Sequence, residues 1–93
     1  MRLKVAKPVG CESLILRDEG EALRLALLVV RAGRRRQGVG TEALRRVKEL
    51  AARLGKPVLL KVDRPRQVSL KRFYGERGFR QIGTLEMEWR PAQ

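Results

Sequence analysis

Leu23-Arg24-Leu25-Ala26-Leu27-Leu28-Val29-Val30 runs straight into Arg31-Ala32-Gly33-Arg34-Arg35-Arg36-Gln37-Gly38-Val39-Gly40-Thr41. An apolar run, broken only by Arg24, thus gives way to an arginine-rich loop and a glycine turn. Beyond the turn, Val39, Ala43, Leu44, Val47, Leu50, Ala51 and Leu54 recur on one stripe at helical spacing, which predicts a helix from about Gly38 to Leu54. Strand, glycine turn and helix together aim backbone N–H groups and the positive end of the helix dipole at one point, an arrangement suited to an anion. Gly38 and Gly40 let the backbone approach a phosphate closely, and Arg34 to Arg36 bring positive charge to the same place. The stretch is therefore expected to hold a phosphorylated ligand at the helix start.

Working outward, Glu21 to Val30 reads as a long strand, apolar on both faces apart from Arg24, as a central strand covered on both sides would be. Asp18-Glu19-Gly20 is a turn signal, and Ser13 to Arg17 before it completes a predicted hairpin. Arg2 to Lys7 alternates as a first strand, stopped by Pro8 and Gly10. After the helix, Gly55 and Pro57 form a stop, Val58 to Val62 a short buried strand, and Ser69 to Arg77 a second helix ended by Gly78. Phe79 to Gly83 and Leu85 to Trp89 follow as strands, the latter with Leu85, Met87 and Trp89 on one face and Glu86 and Glu88 on the other. This order predicts an α+β domain: one mixed sheet, mostly antiparallel, with two helices packed on it.

At 93 residues the chain is one domain, residues 1–93. One cysteine and no histidine exclude a disulfide framework, transition-metal chemistry and a serine–histidine triad, so no metal is expected. Cys11 is expected to be a buried small apolar residue. No long uncharged apolar segment predicts a membrane span, and the N-terminus does not read as a signal peptide, so a cytoplasmic location is expected. A net charge of +12 on so short a chain makes nucleic acid one partner to weigh, although arginine enrichment fits a compositional bias equally well and the aromatics needed for base stacking are few.

Three phosphate sites can be set against the glycine turn. A Walker loop needs lysine just after its last glycine in the position Val39 occupies, and a dinucleotide turn tolerates no insert as long as Arg31 to Gln37. The third is a coenzyme A pyrophosphate site. Arg35, Gly38 and Gly40 meet the pattern Arg or Gln, two residues, Gly, one residue, Gly or Ala, and Phe73-Tyr74-Gly75-Glu76-Arg77-Gly78-Phe79 follows at the right distance. In these two segments the chain resembles the GNAT superfamily of N-acetyltransferases, over roughly Leu23 to Phe79.

That resemblance implies the acyl-CoA N-acyltransferase fold, acetyl-CoA as cosubstrate and a primary amine as acceptor. It implies that Leu28, Val29 and Val30 bond the pantetheine arm, and that Arg35, Arg36, Gln37, Gly38, Val39, Gly40 and Thr41 surround the pyrophosphate. Gln67 stands where the family often has a cofactor-contacting Asn, and Tyr74 stands where the family's tyrosine protonates the departing thiolate. Departures accompany it: no carboxylate base is identifiable, with Asp63 or water as candidates, and the usual N-terminal helices over the acceptor site have no counterpart before the long strand. A minimal version with an open acceptor side is expected, completed by a large substrate or by a second subunit in a homodimer. A basic nucleic-acid-binding module and a CoA-binding protein without catalysis stand as the alternatives.

Overall fold

In a computed structural model of the chain, residues 1–34 and 38–92 are described. Six strands form one sheet: β1 (Arg2–Leu3), β2 (Cys11–Asp18), β3 (Leu23–Val30), β4 (Val58–Lys61), β5 (Arg80–Gln81) and β6 (Glu86–Trp89), in the order β1-β2-β3-β4-β6-β5. All neighbours are antiparallel except β3 and β4. Helix α1 (Val39–Leu54) makes the crossover between those two, and α2 (Gln67–Gly75) follows β4. The mixed, mostly antiparallel α+β sheet with two helices is thus as predicted.

The hairpin β2–β3 is the longest pairing of the sheet, with Asp18 opposite Leu23 and Cys11 opposite Val30. Gly20, at φ +97°, makes its turn, and the Gly20 N–H donates to the Asp18 carboxylate at 2.9 Å. Between the pairs Ile15–Leu27 and Leu16–Leu25 the register shifts, so Ala26 is an extra residue and the alternation of β3 slips by one. Leu23 and Leu25, then Leu28 and Val30, therefore face the core together with Cys11, Leu14 and Leu16 of β2.

Helix α1 lays Ala43, Leu44, Val47 and Ala51 on this face. Its solvent side is tied by Arg46 and Arg53 to Glu42 and Glu49 respectively, one turn earlier, at 2.9 Å each. Gly55 closes the helix in the left-handed conformation at φ +67°, its N–H turned back to the last-turn carbonyls. Val58, Leu60 and Met87 complete the core from β4 and β6, with Tyr74 and Phe79 packed in beside them.

The opposite face of the sheet carries no helix among the described residues, so β3 is not covered on both sides as its composition suggested. Leu27 is 42% exposed there, opposite half-buried Ile15 of β2. The bulge accounts for the misreading: a slipped alternation places apolar residues on both faces without requiring that both be buried. Other boundaries also moved. The predicted first strand keeps only Arg2–Leu3, because the chain then leaves β2 and gives the Ala6 carbonyl to Arg46 Nη1 at 2.7 Å. Helix α2 starts two residues before Ser69, whose hydroxyl bonds back to the Arg66 carbonyl at 3.2 Å instead of capping. It ends at Gly75; Gly78, at φ +92°, finishes the turn that returns the Arg77 and Phe79 N–H groups to the Tyr74 carbonyl. Glu88 is buried rather than solvated, and ion pairs with Arg80 and Arg90 compensate it.

Candidate functional site

The parallel pair β3–β4 is joined only at Leu23–Val58 and Arg24–Leu59. From Leu25 to Val30 the edge of β3 that faces β4 has no strand partner, so the two strands part and leave backbone groups free in the gap. A cleft of about 500 Å³ opens there. One wall is the strand edge at Leu28, Val29 and Val30; the far end is the start of α1 at Gly38, Gly40 and Thr41; the other wall is the face of α2 that carries Leu70, Phe73 and Tyr74. Arg66, Ser69 and Arg77 stand at its rim.

The start of α1 is prepared for an anion. Its first internal bond runs from the Glu42 N–H to the Gly38 carbonyl at 3.0 Å, so the N–H groups of Val39, Gly40 and Thr41 find no acceptor within the helix. Gly38 precedes them at φ +72°, a conformation that costs roughly 1–2 kcal/mol for a residue with a side chain. Gly40 also serves the packing of the cleft wall. A Cβ there would lie 2.9 Å from Phe73 Cζ, so the absent side chain makes room for an aromatic ring on the first turn of α1. That ring is held from its other sides by Tyr74, edge-on at 5.2 Å, and by the Arg77 guanidinium 3.9 Å from its centroid.

Tyr74 is only 8% exposed, packed edge-on against Phe79 as well as Phe73, yet it lines the cleft. Burial pushes its phenol above the ordinary value, against a smaller pull from the Arg66 charge, so it is a protonated donor at neutral pH. No carboxylate lines the cleft among the described residues. Asp63 is turned to Arg66 at 3.2 Å, and the hydrogen bond from Arg66 holds its carboxyl below the usual range.

The residues singled out from the sequence divide as follows. Leu28, Val29, Val30, Gly38, Gly40, Thr41 and Tyr74 come together on the cleft wall. Val39 sits in the core and is not on the cleft wall. Gln67 lies off the wall, with its side-chain oxygen accepting from Lys71 Nζ at 3.2 Å. Arg35, Arg36 and Gln37 lie outside the described residues. Leu70, Phe73 and Arg77 were not anticipated as cleft residues, although their spacing along α2 and its exit puts them on one helical face with Tyr74. Cys11 is 7% exposed and its thiol is pushed up by burial, consistent with a packing role. Among the described residues no helix is long and apolar enough to cross a membrane.

A family model described as acetyltransferase (GNAT) family matches residues 3–79. No curated protein matches the chain. Among solved structures, the PaiA N-acetyltransferase of Thermoplasma acidophilum in complex with coenzyme A is similar at 21% identity and a TM-score of 0.71, over 83% of this chain and 51% of that one. Ard1 of Thermoplasma volcanium is similar at 19% identity and a TM-score of 0.73, over 86% of this chain and 62% of that one. The anti-CRISPR protein AcrVA5 is similar at 23% identity and a TM-score of 0.76, over 96% of both chains. At these identities the likeness is one of fold. The chain spans between half and two thirds of the length of the two Thermoplasma proteins and nearly all of AcrVA5.

Proposed function

The chain belongs to the acetyltransferase (GNAT) family, and on that footing we propose that it transfers acetyl from acetyl-CoA to a primary amine with Tyr74 as general acid. The observation that carries this is the meeting, in one cleft, of an unpaired strand edge, a free helix start and a buried, protonated phenol. The pantetheine arm lies along Leu28 to Val30, and the pyrophosphate sits over the first turn of α1 at Gly38 to Thr41. The amine nitrogen attacks the thioester carbonyl carbon, and charge developing on the carbonyl oxygen is met by β3 N–H groups. As the carbon–sulfur bond breaks, the thiolate takes the Tyr74 phenolic proton. With no carboxylate on the described wall and Asp63 committed to Arg66, water receives the proton lost by the amine.

The open sheet face beside the cleft supports a large acceptor, such as a protein N-terminus or lysine, and acetyl-CoA as donor is in keeping with a cytoplasmic location. The missing carboxylate also favours a second reading, a protein that binds CoA without turning it over. A thiol-release assay with acetyl-CoA and a panel of peptides, amino acids and polyamines separates the two. Acetyl transfer is expected to at least one acceptor, and Tyr74→Phe is expected to lower turnover by roughly 10²–10⁴-fold with the Michaelis constant for acetyl-CoA little changed. Binding without transfer to any acceptor supports the non-catalytic reading; full activity of the Phe variant removes Tyr74 from the chemistry.

A further inference from the structure

We propose that Arg77 is a phosphate ligand of this cleft and sets its preference for intact coenzyme A over shorter thioesters. The inference rests on the assignment of the cleft to acyl-CoA. Arg77 follows α2 by two residues and stands one helical turn after Phe73. Its guanidinium is fixed from three sides: Nε donates to Thr41 Oγ1 at 2.8 Å, Nη1 donates to the Phe73 carbonyl at 2.7 Å, and the group lies 3.9 Å from the centroid of the Phe73 ring. Phe73 is itself seated against Gly40. A cation is thereby anchored on the first turn of α1, where the helix end is already positive.

A second cation adds to it. Lys48 Nζ donates to the Arg77 carbonyl, and burial, reinforced by the Arg77 charge, lowers its pKa. The compensating acids are weak or turned elsewhere. Glu76 approaches Arg77 Nη1 only to 3.8 Å and its side chain is 64% exposed, so solvent screens it. Glu42, on the same turn of α1, is taken by Arg45 and Arg46. Positive groups crowded in this way raise one another's energy unless an anion joins them. Donors remain to receive it. Among the described residues Arg77 Nη2 has no hydrogen-bond partner, and the Thr41 hydroxyl, accepting from Nε, keeps its own proton to give. Arg77 and Thr41 line the cleft together with Gly38 and Gly40, and a guanidinium already held in position loses little freedom when it binds phosphate.

The test compares coenzyme A with S-acetylpantetheine, which has the same arm and no phosphate, by amide-shift titration of wild type, Arg77→Met and Arg77→Lys. Methionine keeps packing over Phe73. Arg77→Met is expected to weaken coenzyme A by about 10- to 100-fold, the range of a lost charge-assisted hydrogen bond, and to leave S-acetylpantetheine within about twofold. Lysine recovers part of the loss, and the salt dependence of coenzyme A binding is shallower in the Met variant. If both ligands weaken equally, Arg77 acts by holding Phe73 and the proposal is overturned; unchanged coenzyme A affinity overturns it as well. Wild type that binds neither ligand refutes the acyl-CoA assignment itself, and the inference with it. Should Arg77→Met fail to fold, the Lys variant carries the same comparison with a smaller loss.

Discussion

Replacing Gly40 with alanine tests whether the aromatic seat at the start of α1 is as tight as its geometry implies. In the interior of a helix, alanine is favoured over glycine by about 1 kcal/mol. Here the new methyl would meet Phe73 Cζ at 2.9 Å and Cε1 at 3.5 Å, with Val30 Cγ2 at 3.8 Å behind it. The ring cannot simply slide away, because Arg77 covers its face and Tyr74 meets it edge-on. Overpacking of this kind costs typically about 1–3 kcal/mol. The two effects oppose, and the net expectation is a loss of about 0–2 kcal/mol, or a melting temperature lower by roughly 4–8 °C per kcal/mol for a domain of this size. The sharper assay is a double-mutant cycle by denaturant unfolding. With Phe73→Ala in the background the obstacle is gone, so Gly40→Ala should stabilise by about 1 kcal/mol, giving a coupling of about 1–3 kcal/mol between the two positions. The same effect of Gly40→Ala in both backgrounds would refute the contact.

Stability should also fall on the acid side through the α1 surface network. Hydrogen bonds from Arg45 and then Arg46 hold the Glu42 carboxyl at about 2 in the folded state, against 4.5 for the free group. A depressed folded value means the contribution is complete above about pH 4.5 and is lost as pH falls towards about 2; denaturant midpoints measured across that window should drop more steeply for wild type than for Glu42→Gln, and superimposable curves would exclude the network as the cause. A second copy of the chain is the alternative to a large acceptor as cover for the open sheet face, where Leu27 is exposed opposite Ile15. Sedimentation equilibrium should then give a dimer mass, and a single monomer mass over a wide concentration range would rule that out.

Local patterning carried most of the architecture. The α1 stripe, apart from Leu54, which is exposed at the helix end, its closing Gly55 and the hairpin turn at Asp18-Glu19-Gly20 each have a local cause, and each stands where its residues put it. The cleft was legible at its strand and helix ends, because glycine spacing after a strand is itself a local signal. What escaped depends on tertiary facts. The bulge at Ala26 decides which β3 residues face the core, and no periodicity of an all-apolar run encodes it. Glu88 could be buried because Arg80 and Arg90 reach it, a pairing invisible in simple alternation. That Gly40 also seats the ring of Phe73, a residue far away in sequence, has no local signal. Phe73 and Arg77 were nevertheless within reach: four residues apart at the end of a helix, they had to share a face with each other and with the cleft.

The central claim is that acetyl-CoA binds where β3 and β4 part, with its phosphates on the start of α1 and its thioester near Tyr74. An amide-shift titration of the labelled protein with acetyl-CoA tests it directly and needs no knowledge of the acceptor. The account predicts saturable shifts concentrated at Leu28 to Val30, Gly38 to Thr41 and Phe73 to Arg77, with β1 and the exposed side of α1 unmoved. Saturable shifts confined to the open sheet face, or no shifts at millimolar ligand, would contradict it.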